Sequence, residues 1–285
     1  MLEHITYDNF DTWQEGVYRS RHEIAAPARS FKMVHEERTE DCWLLVHGYR
    51  GYPGEMVSPA YTLFNAGFDV FVPRLPGHGS CGDDFERCSR KDWFGLVRNA
   101  ISELKGLYRH VNLLGHSMGS SLAVTVGSSE ESCEKIIIAA PTFVNKYLGP
   151  KAKLRLRLAS IFTPRIPNEW EDSTKYHYHF EGAPEGVEQL ADEYFRWYYT
   201  RGLFDYDSVG TGGLKWALET EKQLLILCPM KDYSIAVPAT ELYLKKGGDE
   251  KNVVRIEGGT HCIFYDKIEA AEEAALKAIE EFARK

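Results

Sequence analysis

Gly115-His116-Ser117-Met118-Gly119 stands between an apolar run, Val111–Leu114, and a run of small residues, Ser120–Val126. The first run reads as a buried strand and the second as a helix that must lie close against something. A tight strand-to-helix turn strains the backbone of its central residue, and a glycine on each side removes side chains that would clash there. Such a turn lifts the Ser117 hydroxyl out of the fold into reach of a solute. G-x-S-x-G alone is a weak signal, and its weight depends on whether a strand–helix rhythm surrounds it.

That rhythm is present. "FKMVH" (31–35) and "CWLLVH" (42–47) read as strands joined by a polar turn, an antiparallel start. Residues 55–66 read as a helix and "FDVFVP" (68–73) as a strand. Residues 92–108 carry Trp93, Leu96, Val97, Ile101 and Leu104 at helical spacing. Strands at 111–114, 135–140, 223–228 and 252–257 and helices from 118, near 236–246 and over 266–284 continue the alternation. Such alternation predicts an α/β fold: a mostly parallel central sheet with helices on both faces. Ligands of such sheets bind at the C-terminal strand ends, where Ser117 lies.

Residues 142–215 interrupt the pattern with Tyr147, Trp170, Tyr176, Tyr178, Phe180, Tyr194, Phe195, Trp197, Tyr198, Tyr199, Phe204 and Tyr206. A structureless loop of that length does not suit a compact domain. We therefore expect an inserted, largely helical cap over 142–215, with 1–141 and 216–285 forming the core. Within it "KAKLRLRLASIF" (151–162) alternates basic and apolar residues. It reads as a cap element with a solvated basic face, the other reading being an edge that touches lipid headgroups or an anionic substrate.

The chain's 285 residues, 44% of them hydrophobic and 27% charged, suit a globular protein with a substantial core. Its net charge of -8 argues against nucleic acid as a partner. "MLEHITYDNF" shows neither the basic nor the apolar region of an export signal, and no stretch is long and apolar enough to span a bilayer. A cytoplasmic location is therefore expected, with Cys42, Cys81, Cys88, Cys133, Cys228 and Cys262 as reduced thiols. The histidines and cysteines lack metal-ligand spacing, so neither a metal nor an organic cofactor is expected. The oligomeric state is left open.

A serine hydroxyl is a weak nucleophile, so it needs a base, and the base needs an orienting acid. After the strand at 223–228 the chain offers Asp232, and after the strand at 252–257 it offers His261. Both lie on the rim that carries Ser117, in the order serine, acid, histidine. His47, His78 and His116 read instead as packing or loop-bracing residues. An acyl-transfer site also needs backbone N–H donors for the developing oxyanion, worth about 3–4 kcal/mol each. The residue after the serine, Met118, supplies one, and Tyr49 in the glycine-rich loop "VHGYRG" (46–51) supplies the other.

From "LLVHGYRG" through "RLPGHGSC", "LLGHSMGSS" and "CPMKDYSIAVP" to "EGGTHCIF", the chain resembles the α/β-hydrolases of the carboxylesterase and monoacylglycerol-lipase kind. It departs at Arg74, where the family often has aspartate, and at Pro229, where it often has glycine. The resemblance implies a triad of Ser117, Asp232 and His261, with Tyr49 and Met118 as oxyanion donors. It implies hydrolysis of a small carboxylic ester, hydrophobic and short-to-medium in acyl length, or a monoacylglycerol. A thioester, an amide or peptide, or a carbon–carbon bond could be cleaved by the same groups. A ligand-binding protein of the same fold is the alternative of another class.

Overall fold

The computed structural model describes residues 4–8, 24, 26–144, 149–168, 196–265 and 268–285. An eight-stranded sheet runs in the order β1-β2-β4-β3-β5-β6-β9-β10. Its strands are β1 (Thr6–Tyr7), β2 (Phe31–Met33), β3 (Asp41–Val46), β4 (Asp69–Val72), β5 (His110–His116), β6 (Lys135–Ala139), β9 (Gln223–Pro229) and β10 (Val253–Ile256). A separate hairpin pairs β7 (Arg165–Pro167) with β8 (Trp197–Tyr199). From β4 to β10 every neighbouring pair is parallel, while β1 and β2 run antiparallel at the edge. The fold is the α/β architecture expected from the alternation.

The antiparallel start needs correction. β2 and β3 are not paired, because β4 lies between them, antiparallel to β2 and parallel to β3. Helix α1 (Val57–Asn65) makes the crossover that returns the chain parallel to β3. Every residue of β4 is buried, so it takes an interior place and leaves the three-residue β2 further out.

Strand parity divides the core into two layers. Leu44, Val46, Val111, Leu113, Ile136 and Ile138 pack on one face, together with Trp93, Leu96 and Val97 of α3 (Arg90–Leu104) and Leu122 of α4 (Met118–Gly127). Trp43, Leu45, Leu114 and Ile137 point to the other face, against α1 and α8 (Glu269–Ala283). Burying each large apolar side chain contributes about 1.5–3 kcal/mol, which makes the strands a rigid base for their C-terminal loops. The start of α3 is written in the sequence: Ser89 and Asp92 form a capping box, the Asp92 carboxylate accepting from Ser89 N at 2.9 Å.

Of the expected cap, residues 145–148 and 169–195 lie outside the described residues, including Tyr147, Trp170, Tyr176, Tyr178, Phe180, Tyr194 and Phe195. The rest comprises α5 (Pro150–Phe162), the β7–β8 hairpin and α6 (Thr200–Glu219). The boundary at 215 falls inside α6. Gly210 and Gly213 let α6 lie directly on the core, since a Cβ there would come within 2.0 Å of Thr142 O and 2.7 Å of Ser121 Cβ. Helix α7 (Ala236–Lys245) follows β9.

Candidate active site

β3, β5, β9 and β10 are parallel, so the loops leaving their C-terminal ends meet on one rim. Ser117 occupies the turn between β5 and α4 with φ 54° and ψ -121°, a left-handed backbone that costs a non-glycine residue about 1–3 kcal/mol. Glycines flank it for closeness: a Cβ on Gly115 would lie 2.1 Å from Gly119 O, and one on Gly119 2.0 Å from Val46 O. The turn is held by Ser117 N donating to Ala139 O at 2.9 Å and by Ser120 N donating to Ser117 O at 3.0 Å. Surrounding structure thus over-determines the strained residue.

The structure brings the three expected side chains into one hydrogen-bonded chain. His261 Nε2 lies 2.9 Å from Ser117 Oγ, and His261 Nδ1 lies 2.6 Å from Asp232 Oδ2. Asp232 also accepts from Ile235 N at 3.1 Å and Ala236 N at 3.0 Å, the opening turn of α7. Burial would raise the pKa of its carboxyl. The His261 hydrogen bond and charge, with the Ala236 and Ile235 N–H groups, outweigh that and hold it below the usual range. Asp232 is therefore an anion at neutral pH, and it favours the His261 tautomer that carries its proton on Nδ1. That leaves the Nε2 lone pair facing the serine.

The β3 loop passes directly over the serine, because a Cβ on Gly48 would lie 3.1 Å from Ser117 Cβ. His47 orients this loop. Its Nε2 accepts from Leu75 N at 3.0 Å, so the neutral ring carries its proton on Nδ1 and donates to Gly48 O at 3.0 Å. Burial keeps that imidazole neutral by pushing its pKa far down. Gly51 N also donates to Gly48 O, at 3.1 Å. With this carbonyl held from one side across a trans peptide, the Tyr49 N–H must point the opposite way. Met118 N is the first amide of α4 and has no intrahelical carbonyl to bond, so it carries the helix's positive end.

Other groups at the rim brace the three side chains, His116 among them as the loop-bracing residue the sequence suggests. His116 Nε2 donates to the His261 carbonyl at 2.7 Å, fixing the backbone of the base, and burial keeps its pKa at about 3. Tyr206 of α6 is partly buried beside Thr142, its phenol pushed up by desolvation and by the Asp232 charge. Tyr206 is one aromatic residue among many between 142 and 215, so only its packing distinguishes it. Arg74, where the sequence leaves its family pattern, is buried and donates to His78 O at 2.7 Å, bracing the loop after β4. None of the six cysteines is in a disulfide, and among the described residues no group of three or more His, Cys, Asp or Glu could hold a metal ion. No described helix is long and apolar enough to cross a membrane.

Comparison with known proteins adds the family. The profile of the alpha/beta hydrolase family matches residues 43–275. A thermostable monoacylglycerol lipase from Bacillus sp. (strain H-257) is 38% identical over 81 residues, a stretch covering 28% of this chain and 32% of that protein. The match therefore spans about a third of the relative's length. The solved structure of the Paleococcus ferrophilus monoacylglycerol lipase superposes with a TM-score of 0.68 at 18% identity, covering 89% of this chain and 96% of that one. A structure from the study of LipS and LipT, two metagenome-derived lipolytic enzymes, superposes at 0.72 and 19% identity, covering 92% and 99%. At such identities the superpositions carry the fold alone.

Proposed function

The chain belongs to the alpha/beta hydrolase family, and from that premise together with the rim geometry we propose that it hydrolyses a carboxylic ester through an acyl-enzyme on Ser117. The carrying observation is the chain of contacts from Ser117 Oγ to His261 Nε2 at 2.9 Å and from His261 Nδ1 to Asp232 at 2.6 Å. In this reading His261 Nε2 takes the Ser117 proton as Oγ attacks the ester carbonyl. The Tyr49 and Met118 N–H groups receive the oxyanion. Collapse breaks the bond to the alcohol, which leaves with the proton from His261. A water then repeats the sequence on the acyl-enzyme and releases the acid, while Asp232 stabilises the imidazolium in each half-reaction.

The substrate we favour is a hydrophobic ester of short-to-medium acyl length or a monoacylglycerol. Supporting this are the stretch shared with the Bacillus monoacylglycerol lipase and the aromatic side of the rim, where Tyr49 packs on Phe85 and Tyr206. The test is hydrolysis of p-nitrophenyl esters from acetate to dodecanoate by wild type and Ser117→Ala, with fluorophosphonate labelling of both. Chain-length-dependent turnover and labelling, both lost in the variant, are expected. Folded wild type that neither turns over nor labels would overturn the reading and favour a ligand-binding role. Labelling without ester turnover would move the reaction to another acyl compound.

A further inference from the structure

"KAKLRLRLASIF" has the alternation of a strand, yet it forms helix α5, and helical geometry regroups its side chains. Leu154, Leu158, Ile161 and Phe162 fall at i, i+4, i+7 and i+8, which is one face of a helix. That face meets water: the four are 59%, 54%, 67% and 84% exposed. Ile166 and Tyr198, opposite each other across the β7–β8 hairpin, are also exposed apolar residues. Contiguous exposure of this kind marks an interaction surface, whereas scattered single residues would not.

Charge identifies the occupant. From residue 150 to 168 the sequence has five cations and no acid, in a chain of net charge -8. Lys153 is paired with Asp207 of α6 at 2.7 Å, and Arg165 with Asp83 and Glu86 of α2 (Gly82–Arg87). Lys151, Arg155 and Arg157 are exposed and have no acidic partner among the described residues. In helical projection Arg157 lies on one side of the apolar face and Arg155 on the other, while Lys151 falls on the face itself, one turn before Leu154 at the start of α5. A helix lying in a lipid–water interface has this cross-section, with apolar residues down and long cationic side chains reaching to the headgroups on both flanks. A protein groove would reward the apolar stripe without requiring cations on both sides.

We propose that α5 docks this protein on anionic lipid surfaces, Leu154, Leu158, Ile161 and Phe162 entering the acyl region while Lys151, Arg155 and Arg157 meet the headgroups. The proposal does not depend on ester hydrolysis. Because α5 is seated on α6, whose Tyr206 is beside the Ser117 rim, docking there would bring that rim toward the lipid.

The experiment is vesicle flotation of the full chain, with vesicles of phosphatidylcholine alone and of equal parts phosphatidylcholine and phosphatidylglycerol, at low and high salt. Wild type should float with the phosphatidylglycerol vesicles and be released by salt. Each cation near an anionic surface is worth about fivefold in binding, so a Lys151→Gln, Arg155→Gln, Arg157→Gln variant should bind about a hundredfold more weakly. Leu158→Glu with Phe162→Glu should bind at least tenfold more weakly, whereas Leu107→Glu, an exposed leucine outside the cap, should bind like wild type. Unchanged thermal unfolding would establish that the variants are folded. Failure to float, or equal flotation by all variants, would overturn the proposal. So would a wild-type dimer that Leu158→Glu with Phe162→Glu dissociates while neither form binds vesicles, since the face would then serve a second copy of the chain.

Discussion

Glu55 offers a sharp test of how burial sets the chemistry beneath the Gly48–Gly51 loop. It is buried in the turn Pro53–Met56, its carboxyl pressed so closely on Gly51 that a Cβ there would lie 2.3 Å from Oε2. Burial raises its pKa to about 8, offset in part by the Tyr52 N–H, and no cation is among the groups that act on it. The folded protein therefore holds this glutamic acid neutral at pH 7, whereas the unfolded chain ionises it near the usual 4.5. Between those values the folded state binds more protons, so stability falls as pH rises and levels off above the folded value. At about 1.4 kcal/mol per pH unit the full gap corresponds to on the order of 5 kcal/mol. Water entry and relaxation of the loop discount this, and we expect about 2 kcal/mol.

Glu55→Gln keeps the shape and the acceptor for Tyr52 N–H but cannot ionise. Thermal unfolding of both proteins followed by circular dichroism from pH 5 to pH 9 isolates the residue, because every other group titrates alike in the two. The Tm values should be close at pH 5. At pH 9 the variant should unfold about 5 °C higher, at roughly 2–4 °C per kcal/mol for a chain of this size. A Tm difference that does not change with pH would refute the reasoning.

In Asp232→Asn the amide supplies one acceptor where Ile235 N, Ala236 N and His261 now share two, so an N–H must face another donor and the His261 tautomer is no longer secured. Ester turnover should fall by about 10⁴-fold, with Tm within a few degrees of wild type. Gly48→Ala puts its Cβ 3.1 Å from Ser117 Cβ, and the displaced nucleophile should lower kcat by about 100-fold in a protein whose circular dichroism is unchanged. Arg165→Met removes the ion pairs from β7 to Asp83 and Glu86; exposed pairs are worth about 0–1 kcal/mol each, so Tm should hardly move while limited proteolysis cuts between residues 142 and 215 severalfold faster.

Much of the architecture was legible in local pattern. The strand–helix alternation forecast the parallel sheet, and the positions of Ser117, Asp232 and His261 just past the C-terminal ends of parallel strands put them on one rim, where the structure links them by hydrogen bonds. The signals were short-range: an apolar run, a turn, a titratable residue a few positions later. Where the pattern failed, a distant partner was responsible. The nearness of "FKMVH" to "CWLLVH" along the chain pointed to a hairpin, but a buried β4 from beyond α1 competes better for the edge of β3.

Period-two alternation in "KAKLRLRLASIF" could not reveal the apolar stripe, which exists only once a helix winds the residues at 100° each. Glu55 illustrates the same division. Its type and position are plain in the sequence, yet its proton is retained because residues distant along the chain exclude water from it. Sequence by itself determined which side chains were available and which strand ends would carry them, since turns, strands and caps depend on neighbours along the chain. Tertiary structure decided strand adjacency, the tautomers of His47 and His116, the neutrality of Glu55 and the face that α5 leaves in water. Those depend on burial and on partners brought together through space.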